Sequence, residues 1–377
     1  MAYRLRGLIV AAGMLLFSGC APRPPDRVLW PVEHTPSYTA KADILVATTR
    51  ERGRPGDPSA MTAGRSDALN FEALEISIPR EHQVGSVEWP DTGPADPAYN
   101  FMTTAREPLD EDQFIAQIRR RARSGEPGAG TVLVFVHGYN NLYQESVYRF
   151  AQILHDGGVR ETGVLFAWPS RGSAQLYLAD RESSTFSRDY LEHALKKIAA
   201  IPEVREINIL AHSMGNWLAV ETLRQAAMKG HGDFGGKLNH VVLASPDIDI
   251  NVFRTQLDVI GPLRQPITVM VSGDDKALNL SSFLAGNVTR VGNVSATDPR
   301  VIAGALRYNV RVIDLSNIQA GGSLNHDKFA ESGPVIAAIG RGLASEDVGK
   351  AGVIDAANAL SKSILSIPAS VVGQPVE

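Results

Sequence analysis

Ser213 stands in Ala211-His212-Ser213-Met214-Gly215, after the apolar run Ile207–Ala211 and before the amphipathic set Trp217, Leu218, Val220 and Leu223. Small residues two before and two after a serine, between a buried strand and a helix, suit a sharp turn that holds the hydroxyl out of the chain. Strand and helix backbones cross at such a turn, so only size matters at position 211, and Ala serves in place of Gly. The turn aims Ser213 Oγ at a substrate. It also sets the Met214 amide in the first turn of a helix, where the dipole favours an oxyanion. The chemistry this suits is nucleophilic attack on an acyl carbon.

A serine nucleophile needs a base, and a base needs an acid to orient it. The chain has nine histidines. His34 and His82 fall in the N-terminal part, and His155, His193, His231 and His240 fall away from strand C-termini. His137 ends the run Val132–Val136 and reads as a structural turn residue. His212 adjoins the serine on a tight turn and is expected to point away. His326 remains, in Gly321-Gly322-Ser323-Leu324-Asn325-His326-Asp327, a Gly-rich loop past the last strand-like run. For the acid, Asp274 and Asp275 follow the run Val269–Val271, and one of them is expected to cap the helix after it. Asp247 and Asp249, after Val241–Ala244, form a rival pair of lower weight. After His137, Gly138 lets the chain approach a substrate carbonyl closely. The Tyr139 amide, with Asn140 as alternative, can then supply a second oxyanion donor. Trp168, at the end of Val164–Trp168, is a candidate pocket wall.

The elements that must position these residues follow from periodicity. Apolar runs at Thr131–Val136, Val164–Trp168, Ile207–Ala211, Val241–Ala244, Ile267–Val271 and Val310–Leu315 alternate with helical patterns at about 143–156, 184–200, 214–229, 276–284 and 327–343. Continuous apolar strands separated by helices predict a mostly parallel sheet covered on both faces, a three-layer α/β sandwich. Ahead of it, Ile44–Thr49 reads as a first strand, Gly53–Ser66 as a loop and Leu74–Ile78 as a half-exposed edge strand. The expected organisation is a signal segment 1–19, a flexible tether 20–42, one hydrolase-type domain 43–343 and a C-terminal tail 344–377 with a weak helical pattern at Val353–Leu365.

A net charge of −4 gives no bulk signature of nucleic-acid binding. The run Arg119-Arg120-Arg121 reads as a solvated helix end. The sequence offers no phosphate-loop spelling and no metal-ligand cluster, so no cofactor and no metal are expected. At the N-terminus, Arg4 and Arg6 precede an apolar run, Leu8–Phe17, too short to span a bilayer, followed by Ser18-Gly19-Cys20. Cys20 is the chain's single cysteine. Leu15–Cys20 resembles the lipobox of bacterial lipoproteins, with Phe17 where that pattern prefers Leu. The resemblance implies export, acylation of Cys20 and an envelope location. Ala21 after the cysteine implies the outer membrane.

Taken together, Val134–Asn140, Phe166-Ala167-Trp168-Pro169-Ser170, Ala211–Trp217, Leu243–Asp249 and Ser272–Ser281 resemble a bacterial α/β-hydrolase family of unknown function, described as "esterase/lipase superfamily enzyme". The resemblance covers about residues 42–342. It implies an α/β-hydrolase fold and a Ser213, Asp275, His326 triad, with Asp275 chosen because it precedes Lys276-Ala277-Leu278. Three functions fit: a lipid-anchored serine carboxylesterase or lipase, an acyltransferase using the same triad with a lipid or glycan acceptor, and a non-catalytic binding module. The segment 170–190 is short and polar and does not read as a lipase lid, which points to soluble or small esters.

Overall fold

In the strand β4 (Thr131–Val136), Val132, Val134 and Val136 join one apolar cluster while Leu133 and Phe135 join another. The side-chain period of two sends alternate residues to opposite faces of a sheet, so a strand apolar throughout must lie between two layers. β6 (Glu206–His212) behaves likewise, with Ile207, Ile209 and Ala211 on one side and Leu210 on the other. The computed structural model describes residues 23–32, 39–53, 61–90, 94–319 and 321–341, plus a backbone pairing at 354–355.

The remaining strands are β1 (Ala40–Arg52), β2 (Met61–Ile78), β3 (Met102–Leu109), β5 (Thr162–Ala167), β7 (Leu238–Ala244), β8 (Ile267–Val271), β9 (Val310–Asp314) and β10 (Ile354–Asp355). They form a 10-stranded sheet in the order β10-β9-β8-β7-β6-β4-β5-β1-β2-β3. Pairing is parallel from β1 through β5, β4, β6, β7 and β8 to β9, and antiparallel at both margins. The expected three-layer, mostly parallel α/β fold is the observed one.

The helices are α1 (Glu111–Ala122), α2 (Tyr143–Asp156), α3 (Tyr177–Phe186), α4 (Arg188–Ala199), α5 (Met214–Met228), α6 (Ile250–Ile260), α7 (Lys276–Leu284), α8 (Pro299–Arg307), α9 (Lys328–Glu331) and α10 (Gly333–Gly340). α1 starts in a capping box between Asp110 and Gln113 and ends in Arg119–Arg121. The basic run thus sits where the dipole favours cations.

Several expectations change. Met61–Ser66, read as loop, is already β2, and the sheet margin is β3, so Leu74–Ile78 is not an edge. The helix expected at 184–200 is two helices hinged at Ser187. The one expected at 327–343 breaks at Ser332 into α9 and α10, because Pro334 has no amide to continue a helix. Ile354 and Asp355, inside the weak helical pattern, pair antiparallel with β9, and the rest of 344–377 lies outside the described residues, as do the signal segment and Cys20.

The flexible tether is also corrected in part. Leu29 is 2% exposed within the cluster of β1, β2 and α2, and Val32 N–H donates to Thr103 O at 2.9 Å. Leu29→Ala is therefore expected to lower unfolding free energy by about 2–4 kcal/mol in a denaturant titration. A free tether would give a change within about 0.5 kcal/mol.

Candidate active site

Ser213 follows the last residue of β6 with φ 51° and ψ −123°, a left-handed conformation that a residue with a Cβ adopts only under constraint. The constraint is a set of bonds across the sheet. Ser213 N–H donates to Ala244 O (3.0 Å), and the Ser213 carbonyl accepts from the Asp247 amide (3.3 Å) and the Asn216 amide (3.0 Å). The buried Asn216 Nδ2 ties Ser213 O (3.0 Å) to Ala244 O (2.7 Å). The turn is thus braced against the end of β7. A Cβ on Gly215 would lie 2.4 Å from His137 O and 2.6 Å from Val136 O. The glycine is required by the neighbouring strand β4, a tighter reason than the crossing of the serine's own strand and helix.

His326 and Asp275 meet. His326 Nδ1 lies 2.7 Å from Asp275 Oδ2, and Asp275 is 0% exposed. Asp275 Oδ1 meanwhile accepts the Leu278 amide (2.9 Å) at the start of α7. Capping and orienting are not alternatives for this pair of aspartates. One carboxylate has two oxygens and does both. Burial presses the His326 imidazolium toward lower pKa, but the Asp275 hydrogen bond and the charges of Asp275, Asp327 and Asp247 outweigh it, so its pKa sits above the ordinary value.

Asp274 takes a different part. Its Oδ1 accepts from Ser272 Oγ (2.5 Å) and Lys328 Nζ (2.7 Å), and its Oδ2 from Asn325 Nδ2 (2.8 Å). Lys328 is 2% exposed and also donates to Leu315 O (3.0 Å) and Ser316 O (3.2 Å). Lys276 joins the same loops, its amide to Leu324 O (3.0 Å) and its Nζ to Ser323 O (2.9 Å). The acid loop therefore clamps the segment on both sides of His326. Nothing in the sequence flagged Lys328, since a lysine after a loop normally reads as solvated. Lys328→Met is expected to cut turnover by about tenfold and to lower the melting temperature, because Asp274 and two carbonyls lose their cation. Turnover and melting temperature both at wild-type values would remove Lys328 from this role.

The rival acid Asp247 lines one pocket together with Ser213 and His326 but is already engaged. Its Oδ2 accepts from Tyr177 OH (2.8 Å) and its Oδ1 from Ser281 Oγ (2.5 Å). Arg290 Nε lies 3.1 Å from Oδ1, off-axis for a hydrogen bond, in a fully buried ion pair. Asp249 caps α6 through the Asn251 and Val252 amides.

His137 is structural, as expected. It is buried, its ring nitrogens face Gly138 O (2.8 Å) and Trp168 O (3.0 Å), and burial lowers its pKa to about 3. Trp168 is not a pocket wall. It is 0% exposed, stacks on His137 at 5.0 Å and donates to His137 O at 2.7 Å, behind the loop rather than in it. His212 does not point away from the site. As the last residue of β6 it shares the face of Leu210, which brings its ring 4.7 Å from that of His326 and 4.5 Å from Phe329. Burial and the charge of His326 lower its pKa to about 3, so it packs there as a neutral ring.

Gly138, Tyr139, Asn140, Ser213 and His326 line one pocket of about 390 Å³, within the range of small-molecule sites. A Cβ on Gly138 would meet His212 Nδ1 at 2.7 Å and Ser213 Cβ at 3.0 Å, so the loop can lie against the serine only as glycine. Among the described residues neither the Tyr139 amide nor the Met214 amide has a protein acceptor. Arg23, from the expected tether, grips this loop. It donates to Asn140 Oδ1 (3.0 Å), Asn140 O (2.7 Å), Gly172 O (2.5 Å) and Glu145 Oε1 (2.9 Å).

The strand order, the turn at Ser213 and the covered parallel sheet are those of an α/β-hydrolase, and a family model described as "Alpha/beta hydrolase of unknown function (DUF900)" matches residues 111–341. The chain belongs to that family. The match spans every element that carries Ser213, Asp275 and His326, while β1 to β3 lie outside it. Among solved structures, one similar chain is the crystal structure of Aspergillus fumigatus lipase B, 14% identical, with a TM-score of 0.36. That likeness covers 63% of this chain and 56% of the lipase chain, so this chain spans little more than half of that lipase. No match is found among curated proteins.

Elsewhere, His82, His155 and Asp156 have metal-ligand spacing among the described residues. His82 already gives Nδ1 to Glu88 (2.9 Å) and Nε2 to Asp156 (2.7 Å). That geometry suits a protonated imidazole between two carboxylates better than a metal ligand.

Proposed function

We propose that this family member is a serine carboxylesterase in which Ser213 is the nucleophile, His326 the base and Asp275 its orienting acid. The observation that carries the reading is one pocket holding a serine on a strained left-handed turn and a histidine bonded to a buried carboxylate. In this mechanism His326 Nε2 takes the Ser213 proton as Oγ attacks the ester carbonyl. The Met214 and Tyr139 amides hold the oxyanion, and protonated His326 gives its proton to the leaving alcohol. Water, activated by the same imidazole, then releases the acid from the acyl-enzyme. An acceptor hydroxyl in place of water would make the enzyme an acyltransferase, and product analysis with added alcohol separates the two.

The test is labelling by a fluorophosphonate together with a series of p-nitrophenyl esters. Stoichiometric label on Ser213 and turnover of at least one ester are expected. A protein that takes no label and cleaves no ester would be a binding module of this fold.

The same proposal takes Cys20 as acylated after export, which places the protein on the bacterial envelope, at the outer membrane. Among the described residues no helix is long and apolar enough to cross a membrane, and several acyl chains on one residue are sufficient to hold a protein stably at a bilayer. Metabolic labelling with an alkyne fatty acid, lost in Cys20→Ala, tests it.

A further inference from the structure

We infer that the mouth of the Ser213 pocket faces the membrane and that the ester it takes lies in a lipid layer. The inference rests on the serine-hydrolase and Cys20-anchor proposals. It is carried by two independent features of the pocket rim.

The first is an open apolar rim. Leu280 and Leu284 of α7 and Leu324 of the His326 loop line the pocket, yet they are 57%, 58% and 54% exposed. Phe283 stands beside them, 68% exposed. Residues 280, 283 and 284 have the spacing of one helix face, so α7 turns an unpartnered apolar stripe outward at the pocket entrance. Single exposed leucines are ordinary. A contiguous group rimming a pocket marks a surface that meets an apolar partner. The segment 170–190 pointed to soluble esters and lines the pocket through Ala174 and Tyr177, but the exposed leucines of that lining, Leu280, Leu284 and Leu324, come from α7 and the His326 loop.

The second is the position of Arg23. Its guanidinium is held by Asn140, Gly172 and Glu145 on the rim of the same pocket. Cys20 is three residues upstream. A chain extends at most about 3.6 Å per residue, so the acylated sulfur is tied within roughly 11 Å of the Arg23 backbone, plus its own side chain. With so short a link, acyl chains in a bilayer bring the pocket mouth to that bilayer and not the opposite end of the sheet. The anchor and the apolar rim thus act at one face. The occupant they suit is a lipid layer, with the ester's acyl chain leaving along α7.

The experiment uses the full lipidated chain and its Phe283→Asp variant, a change at an exposed position outside the pocket lining. Both are attached to phosphatidylethanolamine–phosphatidylglycerol vesicles carrying p-nitrophenyl palmitate, and attachment is measured by flotation. The variant is expected to float like wild type, to cleave p-nitrophenyl acetate in solution within twofold of it, and to cleave the vesicle-borne ester at least fivefold more slowly. Equal rates on the vesicle-borne ester overturn the inference alone. So does a rim that proves to hold a second copy, seen as a dimer that Phe283→Asp dissociates with no loss on vesicles. Failure of the wild type to cleave acetate would instead sink the hydrolase reading. Failure to float would sink the anchor. Either would take this inference with it.

Discussion

Ser213→Ala is expected to reduce ester turnover by about 10⁴-fold or more while leaving the fold intact, since in the proposed mechanism it removes the nucleophile and leaves only the oxyanion donors and binding. The same position should report its strain. At φ 51° and ψ −123° a Cβ is costly, by about 1–3 kcal/mol. Alanine keeps that Cβ and glycine does not. Glycine also loosens the unfolded chain, which takes back about 0.5–1 kcal/mol. Ser213→Gly should therefore be as inactive as Ser213→Ala but more stable than it by about 1 kcal/mol in urea titrations. A glycine variant less stable than the alanine one would mean the turn is relaxed. Near wild-type turnover by either variant would move the nucleophile elsewhere.

The parts of this arrangement that were legible in the sequence are those fixed by local chemistry. The strands β4, β6 and β8 announced themselves because burial on both faces leaves a run that is apolar but for a single interior polar residue in β6 and in β8, and Ser213 because only small neighbours fit its turn. Residues acting across long sequence distances were not legible. Lys328 and Asp274 are 54 positions apart, and nothing local in either segment records that they pair. Arg23 reads as part of a proline-rich tether until its bonds to Asn140 and Glu145, over a hundred residues away, are seen. His212 still belongs to the strand, so period two and not the tight turn decides its face. A strand-end aromatic such as Trp168 can face the pocket or stack behind it, and the neighbour that decides, His137, is 31 residues earlier. The helix breaks at Ser187 and Ser332 lie inside long amphipathic patterns, which record a face but not a bend.

Asp275→Asn and Asp247→Asn separate the two candidate acids by different signatures. Asp275 holds His326 Nδ1 at 2.7 Å with one oxygen and caps α7 with the other. An asparagine can keep the cap, but it cannot stabilise the imidazolium by charge, and it can present its NH₂ to the ring and favour the wrong tautomer. A loss of about 10³–10⁴-fold in kcat is expected. The pH profile should move as well. In the proposed mechanism hydrolysis needs neutral His326, so activity is expected to fall as pH drops through its pKa. In the wild type that acidic limb is expected above the ordinary histidine value, because Asp275, Asp327 and Asp247 outweigh burial at His326. Removing Asp275's charge takes away the largest of those opposing contributions, so the limb of the residual activity should shift to lower pH. Asp247→Asn should behave differently. It leaves the His326–Asp275 bond intact and strips the partner from the buried Arg290, which is 2% exposed. Breaking one side of a buried pair costs about 3–5 kcal/mol, so its main effect should be on the unfolding free energy. Its effect on kcat should be smaller, with only a slight downward shift of the acidic limb, because Asp247 acts on His326 by charge through space. If instead Asp247→Asn abolished turnover in a stably folded protein and Asp275→Asn did not, the acid would belong to the end of β7, and the 2.7 Å bond to His326 would be a positioning contact alone.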